Sequence, residues 1–318
     1  MADQSLKGYN VKIDRLFYLG AAFAAMFGAL SASFGQSLSD LDYARQSFHN
    51  QNYHAMIELT RSAARDGDPD AQNLMGVALE SLPESEGTAV EALSWYKKSA
   101  AQNYPKAWYN MALLYSTGAG GVSKDTNRAK AAYDQAIKLG YSLAYANRGV
   151  LEEQSTPPNY IAAFEFYRKS HEAGHSVGTV NLATLYAKGL GVEVDFDQAK
   201  KLFSQAANEG NLRAIRNLGY MYESGSGVTR DLEKAEALYK QGLIGGHIDA
   251  GTALFWLYWE AEPPLGNKSK ALAYCLKTAE LEKGEAKART QSQCDELMTV
   301  MTTEEIANAD SISVNIQD

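Results

Sequence analysis

The stretch AKKLFSQAANEGNLRAIRNLGYMYESGSGV, residues 199–228, decides the fold of this chain. Its apolar residues recur every three or four positions on both sides of Gly210, which is the pattern of two amphipathic helices. Glycine is the residue most often found where a helix ends in a left-handed conformation. The stretch therefore predicts two antiparallel helices joined at Gly210 and followed by a turn at Gly225 and Gly227.

The same pattern recurs with a period of 34 to 37 residues, counted from the residue that corresponds to Ala199. The reference residues are Met56, Ala92, Ala129, Ala163, Ala199, Ala235 and Ala271. Four residues before them stand side chains that cap helix N-termini, namely Asn52, Thr88, Asp125, Asn159, Asp195, Asp231 and Asn267. Four residues after most of them comes an aromatic side chain, which lies one helical turn away on the same face.

Each unit is therefore predicted to be a pair of antiparallel helices that cannot bury its apolar face alone. Because stacked units bury a continuous core, the predicted fold class is all-α, a right-handed α/α solenoid of about seven helix hairpins. The third unit departs most from the pattern. In it, Arg148 and Glu152 occupy positions that are normally apolar, and its turn, STPPN, lacks the glycines.

These repeats resemble Sel1-like repeats, a branch of the tetratricopeptide superfamily. The resemblance is carried by ALSWYKKSAAQNYPKAWYNMALLYSTGAGGV, residues 92–122, and by residues 199–228, and it extends over about residues 52–290. It implies an all-α superhelix that makes protein–protein contacts. Bacterial members of the family are often exported, some resembling periplasmic regulators of membrane sensor kinases and others acting at host surfaces.

The charge balance excludes one class of function, and the N-terminus predicts export. A net charge of −8 and a sequence pI of about 5.3, without a run of basic residues, argue against a nucleic-acid partner. Lys7, Lys12 and Arg15 precede an apolar run from Leu16 to Leu30 and then small residues, as in a secretory signal peptide. The alternative is an uncleaved segment that anchors the chain to the inner membrane.

These features predict three parts of the chain. They are a signal peptide at residues 1–35, the repeat solenoid at 36–300 and a flexible acidic C-terminal tail at 301–318. The mature chain is expected to begin near residue 34 or 36 and to be soluble. Its expected location is the periplasm or the outside of a bacterial cell.

Two motifs that suggest catalysis are better explained as parts of the repeat. His171 to His175 read HEAGH, the zinc-protease motif, but Gly174 occupies the helix-ending position and places His175 in the turn. Ser94 to Lys97 read SWYK, which matches the S-x-x-K of penicillin-binding proteins, without the partner motifs. We therefore expect no enzymatic activity, no metal and no cofactor.

By resemblance to tetratricopeptide arrays, the second helix of each unit is expected to line the concave face that binds a partner. Tyr, Trp and Arg are the residue types that most often dominate interface energy. The predicted partner-binding residues are Tyr109, Leu113, Arg213, Arg216, Tyr220, Trp256 and Trp259. For Trp256 the alternative is an ordinary core position. A groove of this mixed character suits an extended peptide or a partner helix.

Cys275 and Cys294 are predicted to form a disulfide. They lie at nearly equal distances on either side of Gly284, the expected turn, so they face each other in an antiparallel helix pair. An oxidising compartment favours the bond. The alternative is a pair of small buried thiols.

Together these observations predict an exported scaffold or adaptor that binds a protein partner. A membrane sensor kinase and an envelope protein are the candidate partners that the family resemblance offers. Two alternatives stay open. Some Sel1-like proteins are described as penicillin-binding or weakly β-lactam-hydrolysing, which allows an envelope protein that binds peptidoglycan or β-lactams. The other alternative is a secreted effector that contacts host proteins.

Overall fold

In the computed structural model, residues 39–83, 89–259 and 266–315 are described, and they form sixteen helices and no strand. The helices are α1 (Asp40–His49), α2 (Tyr53–Arg65), α3 (Pro69–Ser81), α4 (Ala89–Ala100), α5 (Pro105–Thr117), α6 (Thr126–Lys138), α7 (Ala144–Glu153), α8 (Tyr160–Glu172), α9 (Ser176–Lys188), α10 (Phe196–Asn208), α11 (Leu212–Ser224), α12 (Leu232–Ile244), α13 (Ile248–Trp259), α14 (Lys268–Leu281), α15 (Gly284–Met298) and α16 (Thr303–Asn315). The predicted signal peptide lies outside the described residues. None of these helices is long and apolar enough to cross a membrane.

Consecutive helices pack against each other as hairpins, which confirms the predicted all-α repeat fold. The chain divides into two compact halves, each of several repeat units: the N-terminal half ends at Leu151 and the C-terminal half begins at Glu152. Each half has apolar core clusters of its own. The candidate site described below lies in the C-terminal half.

The starts of the helices are fixed by the capping side chains that the sequence predicts. Asp195, for example, accepts a hydrogen bond from the backbone N–H of Gln198 at 2.9 Å. Equivalent bonds are accepted by the side chains of Asn52, Asp125, Asn159, Asp231 and Asn267. Each of them satisfies a backbone donor that has no partner within its helix. Thr88, the remaining predicted cap, lies outside the described residues.

The turns between units are closed by a recurring backbone hydrogen bond. Gly225 ends α11 with φ of 73°, a left-handed conformation that glycine adopts without strain. The backbone N–H of Asp231 then donates to the carbonyl of Tyr222 at 2.9 Å. The turn without glycines keeps the same bond, from Asn159 to Glu152, also at 2.9 Å. The degenerate unit therefore preserves the turn hydrogen bond although it has lost the turn residues.

The pairs of small and aromatic residues form the core between consecutive helices. Ala235 and Tyr239, one helical turn apart on α12, are both fully buried, which confirms the predicted packing pair. A Cβ atom at Gly219 would lie 2.6 Å from Cε1 of Tyr239. The ring therefore packs directly on the backbone of α11 and fixes the distance between the two helices.

The C-terminal segment differs from the sequence prediction. The sequence predicts a flexible tail at 301–318, but residues 303–315 form α16, which packs against α14; residues 316–318 lie outside the described residues. Ala309 is fully buried, and the hydroxyl of Ser269 donates to the carbonyl of Glu305 at 2.8 Å. The segment begins with a capping box, in which the side chains of Thr302 and Glu305 each accept from the other's backbone N–H. It lacks the turn glycines and the aromatic residue of the repeats, so the repeat pattern did not reveal it.

Candidate partner-binding site

Three of the predicted partner-binding residues lie on one face of α11, because their spacing of three and four residues follows the helical period. They are Arg213, Arg216 and Tyr220, and we call them the α11 face. The helix begins at Leu212 and is capped by Asn211, whose side chain accepts from the backbone N–H of Ala214 at 3.1 Å. This cap holds the first turn, which carries Arg213, in a fixed orientation.

Arg213 is partly buried, contacts a polar group of one other helix and acts electrostatically on a carboxylate of another. Its Nη2 donates to Oδ1 of Asn181 on α9. Burial raises the pKa of Glu153 on α7, while the hydroxyl of Tyr167 and the charge of Arg213 act in the opposite direction. The Tyr167 hydroxyl donates to Oε2 of Glu153 at 2.8 Å. Glu153 is therefore held by a tyrosine, and Arg213 influences it from beyond ion-pair distance.

Arg216 is also partly buried, and part of its hydrogen-bonding capacity is unused. Its Nη1 donates to Oδ1 of the neighbouring Asn217 at 3.2 Å. Its guanidinium carbon lies 5.9 Å from the centre of the Tyr220 ring, within the range of a cation–π contact. Its Nε is buried and has no hydrogen-bond partner among the described residues. A buried donor without a partner is costly, so this arrangement calls for an explanation.

His247, just before α13, lies within electrostatic reach of the α11 face. Its Nδ1 is buried without a hydrogen-bond partner among the described residues. Burial lowers the pKa of His247, Asp249 opposes that shift, and the charges of Arg216 and Arg213 add to it. The charges of both arginines therefore reach the start of α13, where they favour the neutral form of His247 and Asp249 favours the charged form.

A second carboxylate borders the face one turn beyond Tyr220. Glu223 accepts a hydrogen bond from the hydroxyl of Tyr239 at 2.5 Å. Glu223 and Glu153 occupy the same position in their units, and each is bound by the buried tyrosine of the next unit. Burial, followed by the nearby Glu223, raises the pKa of Tyr239 well above its usual range, so the tyrosine stays a donor.

The aromatic residues of the prediction differ in accessibility. Tyr220 is 52% exposed, and Trp256, at the equivalent position of α13, is 48% exposed. Trp259 is partly buried, because its ring stacks on Phe255 with centroids 5.9 Å apart. Nζ of Lys268 lies 6.0 Å from the centre of the Trp259 ring. Tyr220 and Trp256 are thus the aromatic side chains here with most surface to offer.

Two further predicted residues, Tyr109 and Leu113, lie in the N-terminal half. Leu113 is 3% exposed within the core, so its side chain offers no surface to a partner. Tyr109 is partly buried and accepts from Nδ2 of Asn147 at 2.9 Å. Its ring also contacts the rings of Tyr133 and Tyr141, with centroids 5.8 and 5.1 Å away. Both residues therefore support the packing of the N-terminal half.

Sequence reasoning missed the amides around the arginines and His247. Asn110, Asn147, Asn181 and Asn217 occupy one register of successive units. Asn110 and Asn147 donate to side chains of the preceding repeat. Asn181 and Asn217 accept hydrogen bonds from Arg213 and Arg216. The recurrence of an amide at one position of four units was the available signal. His247 gave no such signal, since its position between Gly246 and α13 is that of an ordinary turn residue.

The HEAGH segment does not form a continuous helix. α8 ends at Glu172, Gly174 has φ of 80°, and His175 stands before the first residue of α9, which confirms the predicted turn. Nδ1 of His171 lies 2.9 Å from the hydroxyl of Thr179. Among the described residues, no three His, Cys, Asp or Glu side chains are grouped so that they could hold a metal ion.

The predicted disulfide joins Cys275 of α14 to Cys294 of α15, with Cα atoms 5.8 Å apart. Cys294 is fully buried, whereas residues 284–289 of the same helix are exposed. α15 therefore contributes little apolar burial near its start, and the covalent bond supplies an attachment that packing provides elsewhere.

Comparison with known proteins places these features in a family. A family model described as Sel1 repeat matches residues 69–104, 105–141, 142–175, 176–211 and 212–247. No protein with a curated description matches the chain. A crystal structure of a Sel1 repeat protein from Oxalobacter formigenes is 25% identical, with a TM-score of 0.66, and the match covers 78% of this chain and 99% of the other.

Two further solved structures are more distant. A protective antigen from uropathogenic Escherichia coli strains is 23% identical, with a TM-score of 0.47, over 90% of this chain and 69% of its own. An immunity protein from Pseudomonas aeruginosa is 21% identical, with a TM-score of 0.47, over 67% of this chain and 81% of its own.

Proposed function

The chain belongs to the Sel1 repeat family. We propose that it is a non-catalytic scaffold that binds a protein partner through its C-terminal half. One observation carries the proposal. On α11, Arg213 and Arg216 share a helix face with the exposed ring of Tyr220, and Trp256 is exposed at the equivalent position of α13. Arginine and exposed aromatic residues in one register are the side chains that most often dominate the energy of protein interfaces.

The candidate catalytic motifs support a scaffold rather than an enzyme. Ser94 of SWYK is exposed and donates to the carbonyl of Glu91, one turn earlier in its own helix, at 2.7 Å. Lys97 is exposed on the same helix. Neither residue lies in an enclosed site, so no observation favours the β-lactam alternative. We expect purified protein to show no turnover of nitrocefin and no stoichiometric zinc.

Export to an oxidising compartment is the second part of the proposal. The disulfide between Cys275 and Cys294 supports it, because such bonds persist outside the reducing cytoplasm. A periplasmic location would bring the scaffold to a membrane sensor or an envelope assembly. Non-reducing peptide mapping of protein isolated from the periplasm should recover the linked peptides. Absence of the chain from the periplasmic fraction would contradict the export proposal, and two free thiols in periplasmic protein would contradict the disulfide.

A capture experiment tests the partner-binding surface. The tagged mature chain and the variant Tyr220→Ala/Trp256→Ala are incubated with a bacterial envelope fraction, and retained proteins are quantified. The matched control is Ile244→Ala, which removes another exposed apolar side chain of the C-terminal half. Ile244 lies on α12 and is 72% exposed. At least one protein should be retained by the parent and the control and be lost at least tenfold with the double variant. Equal retention by all three chains would refute the surface, provided that their circular dichroism is the same.

A further inference from the structure

Several arginines of the described residues form an ion pair with a carboxylate, namely Arg45, Arg61, Arg128, Arg148 and Arg168. The described arginines without an ion pair are Arg65, Arg213, Arg216, Arg230 and Arg289. Only Arg213 and Arg216 among these five are partly buried, and the other three are exposed. Burying a cation without a counter-ion is costly. Two such residues one turn apart therefore indicate a site for an anionic group.

The hydrogen bonds that these arginines do make leave suitable donors over. A guanidinium has five N–H donors in a planar fork. Arg213 uses its Nη2 on Asn181, and Arg216 uses its Nη1 on Asn217. The Nε of Arg216 is buried and has no hydrogen-bond partner among the described residues, so it is closed to an external group. Nη2 of Arg216, and Nε and Nη1 of Arg213, also make no hydrogen bond with the described residues, and they are not buried. These N–H groups are the donors that a carboxylate can reach.

The carboxylates around the α11 face limit how much negative charge it accepts. Glu153 and Glu223 are each bound by a tyrosine hydroxyl, so they border the arginines without neutralising them by direct contact. Asp249 lies near enough to His247 to affect its pKa. A single negative charge placed at the two arginines would be attracted. A run of charges would meet the three carboxylates, and like charges at short range repel.

Building on the proposed function, we propose that the arginines of the α11 face bind the carboxylate of one isolated Asp or Glu side chain in an extended segment of the partner. An apolar side chain near that residue packs on Tyr220 and Trp256, which are exposed in the same register. The partner segment is thus acidic at one position and otherwise uncharged. The face discriminates against polyanions, in keeping with the net charge of −8 of the whole chain.

Three peptide libraries test this inference. Each contains biotinylated ten-residue peptides with an amidated C-terminus, Leu fixed two residues after the central position, and uncharged residues varied elsewhere. The central position is Glu in the first library, Gln in the second and three consecutive Glu residues in the third. The amide removes the terminal carboxylate, so a signal from the first library comes from the side chain.

The parent chain should retain the Glu library at least tenfold more than the Gln library, and more than the library with three Glu residues. Arg213→Gln/Arg216→Gln should reduce retention of the Glu library to that of the Gln library. Arg168→Gln is the matched control, since it removes an arginine of the C-terminal half that is ion-paired to Glu165 and Glu172. It should retain the Glu library as the parent does.

Other outcomes separate this inference from the proposed function. Equal retention of the Glu and Gln libraries, or of neither, overturns the carboxylate site. Retention unchanged in the double arginine variant overturns it as well, and circular dichroism excludes misfolding as the cause of a loss. Capture of an envelope protein that still depends on Tyr220 and Trp256 would leave the proposed function intact in each of these cases.

Discussion

α7 and α11 are the equivalent helices of two repeats, and each carries a partly buried arginine. The two arginines differ in whether a carboxylate pairs with the guanidinium. The side chain of Arg148 on α7 is 12% exposed and pairs with Asp134 at 2.8 Å. Arg216 on α11 forms no ion pair with a described residue. Arg148 occupies the position that is Leu218 on α11, whereas Arg216 occupies the position that is Ala146 on α7.

The difference teaches that register decides what an arginine does in this fold. At the leucine position the side chain enters the core, so its charge needs a counter-ion from the first helix of the same unit. Two residues earlier the side chain lies on the face with Tyr220, where it has no ion pair with a described residue. The paired Arg148 supports the fold, whereas the unpaired Arg216 is one of the residues that we propose bind a partner.

The largest expected effect comes from moving an arginine into the core register of α11. Leu218→Arg should lower the free energy of unfolding by about 3 kcal/mol or more, since α10 has Ser204 where α6 has Asp134. Adding Ser204→Asp should recover about 1 kcal/mol or more through the restored pair. Urea unfolding measures both changes, with Leu218→Met as the volume-conserving control. Without recovery in the double variant, the pair would not be what makes Arg148 tolerable.

A smaller loss is expected when the existing pair is broken. Asp134→Asn should destabilise the chain by about 1–2 kcal/mol, because it removes a charge-assisted bond to a mostly buried guanidinium. Arg148→Leu, which restores the residue type of α11, should be neutral or stabilising. Thermal and urea unfolding of the two variants give the comparison. Destabilisation by Arg148→Leu larger than that by Asp134→Asn would assign the arginine a structural value beyond the pair.

Replacing the unpaired arginine should have the opposite pattern. Arg216→Met removes a partly buried charge without a counter-ion, so the free energy of unfolding should stay within about 0.5 kcal/mol or rise by about 1 kcal/mol. Retention of the Glu peptide library should nevertheless fall at least tenfold. The two readouts, urea unfolding and retention, are measured on the same protein sample. A clear loss of stability would make Arg216 a structural residue like Arg148.

The smallest effect concerns Glu153, the last residue of α7. Burial raises its pKa, so the folded chain holds the proton more tightly than the unfolded chain. Stability from this group is therefore present at low pH and falls as the pH rises through the raised pKa, above the unfolded value of about 4.3. Glu153→Gln should make the unfolding free energy decline less between pH 4 and 7. Glu209→Gln, at an exposed site, is the control and should leave the slope unchanged.

The regular units could be predicted because their signals are local. A capping side chain, a small residue and an aromatic residue one turn later specify the first helix, and a glycine ends it. Glu152 shows the limit of such patterns. It replaces an aromatic residue and is 7% exposed, yet its carbonyl still closes the turn with Asn159. Backbone hydrogen bonds tolerate this change because they do not depend on the side chain.

α16 was missed although Thr302 and Glu305 form a capping box at its start, because the helix lacks the turn glycines and the aromatic residue of the repeats. Its position against α14, with Ala309 buried, depends on packing. The burial of Leu113 could not be predicted, because it depends on what packs beside it. Leu113 shares its register with Tyr220, yet one is 3% and the other 52% exposed. A register fixes the direction of a side chain from its own helix, but exposure depends on its neighbours.

The sequence by itself determined the period, the capped helix starts and the turns of the repeats, because each follows from residues close in the chain or from one repeated spacing. It predicted the pairing of Cys275 with Cys294, which the structure confirms. The tertiary structure alone decided that Arg148 meets Asp134 and that Arg213 and Arg216 meet amides without a carboxylate. The physical reason is range. Capping and helix termination act within a few residues, whereas the state of a buried charge is set by groups from several helices that only packing brings together.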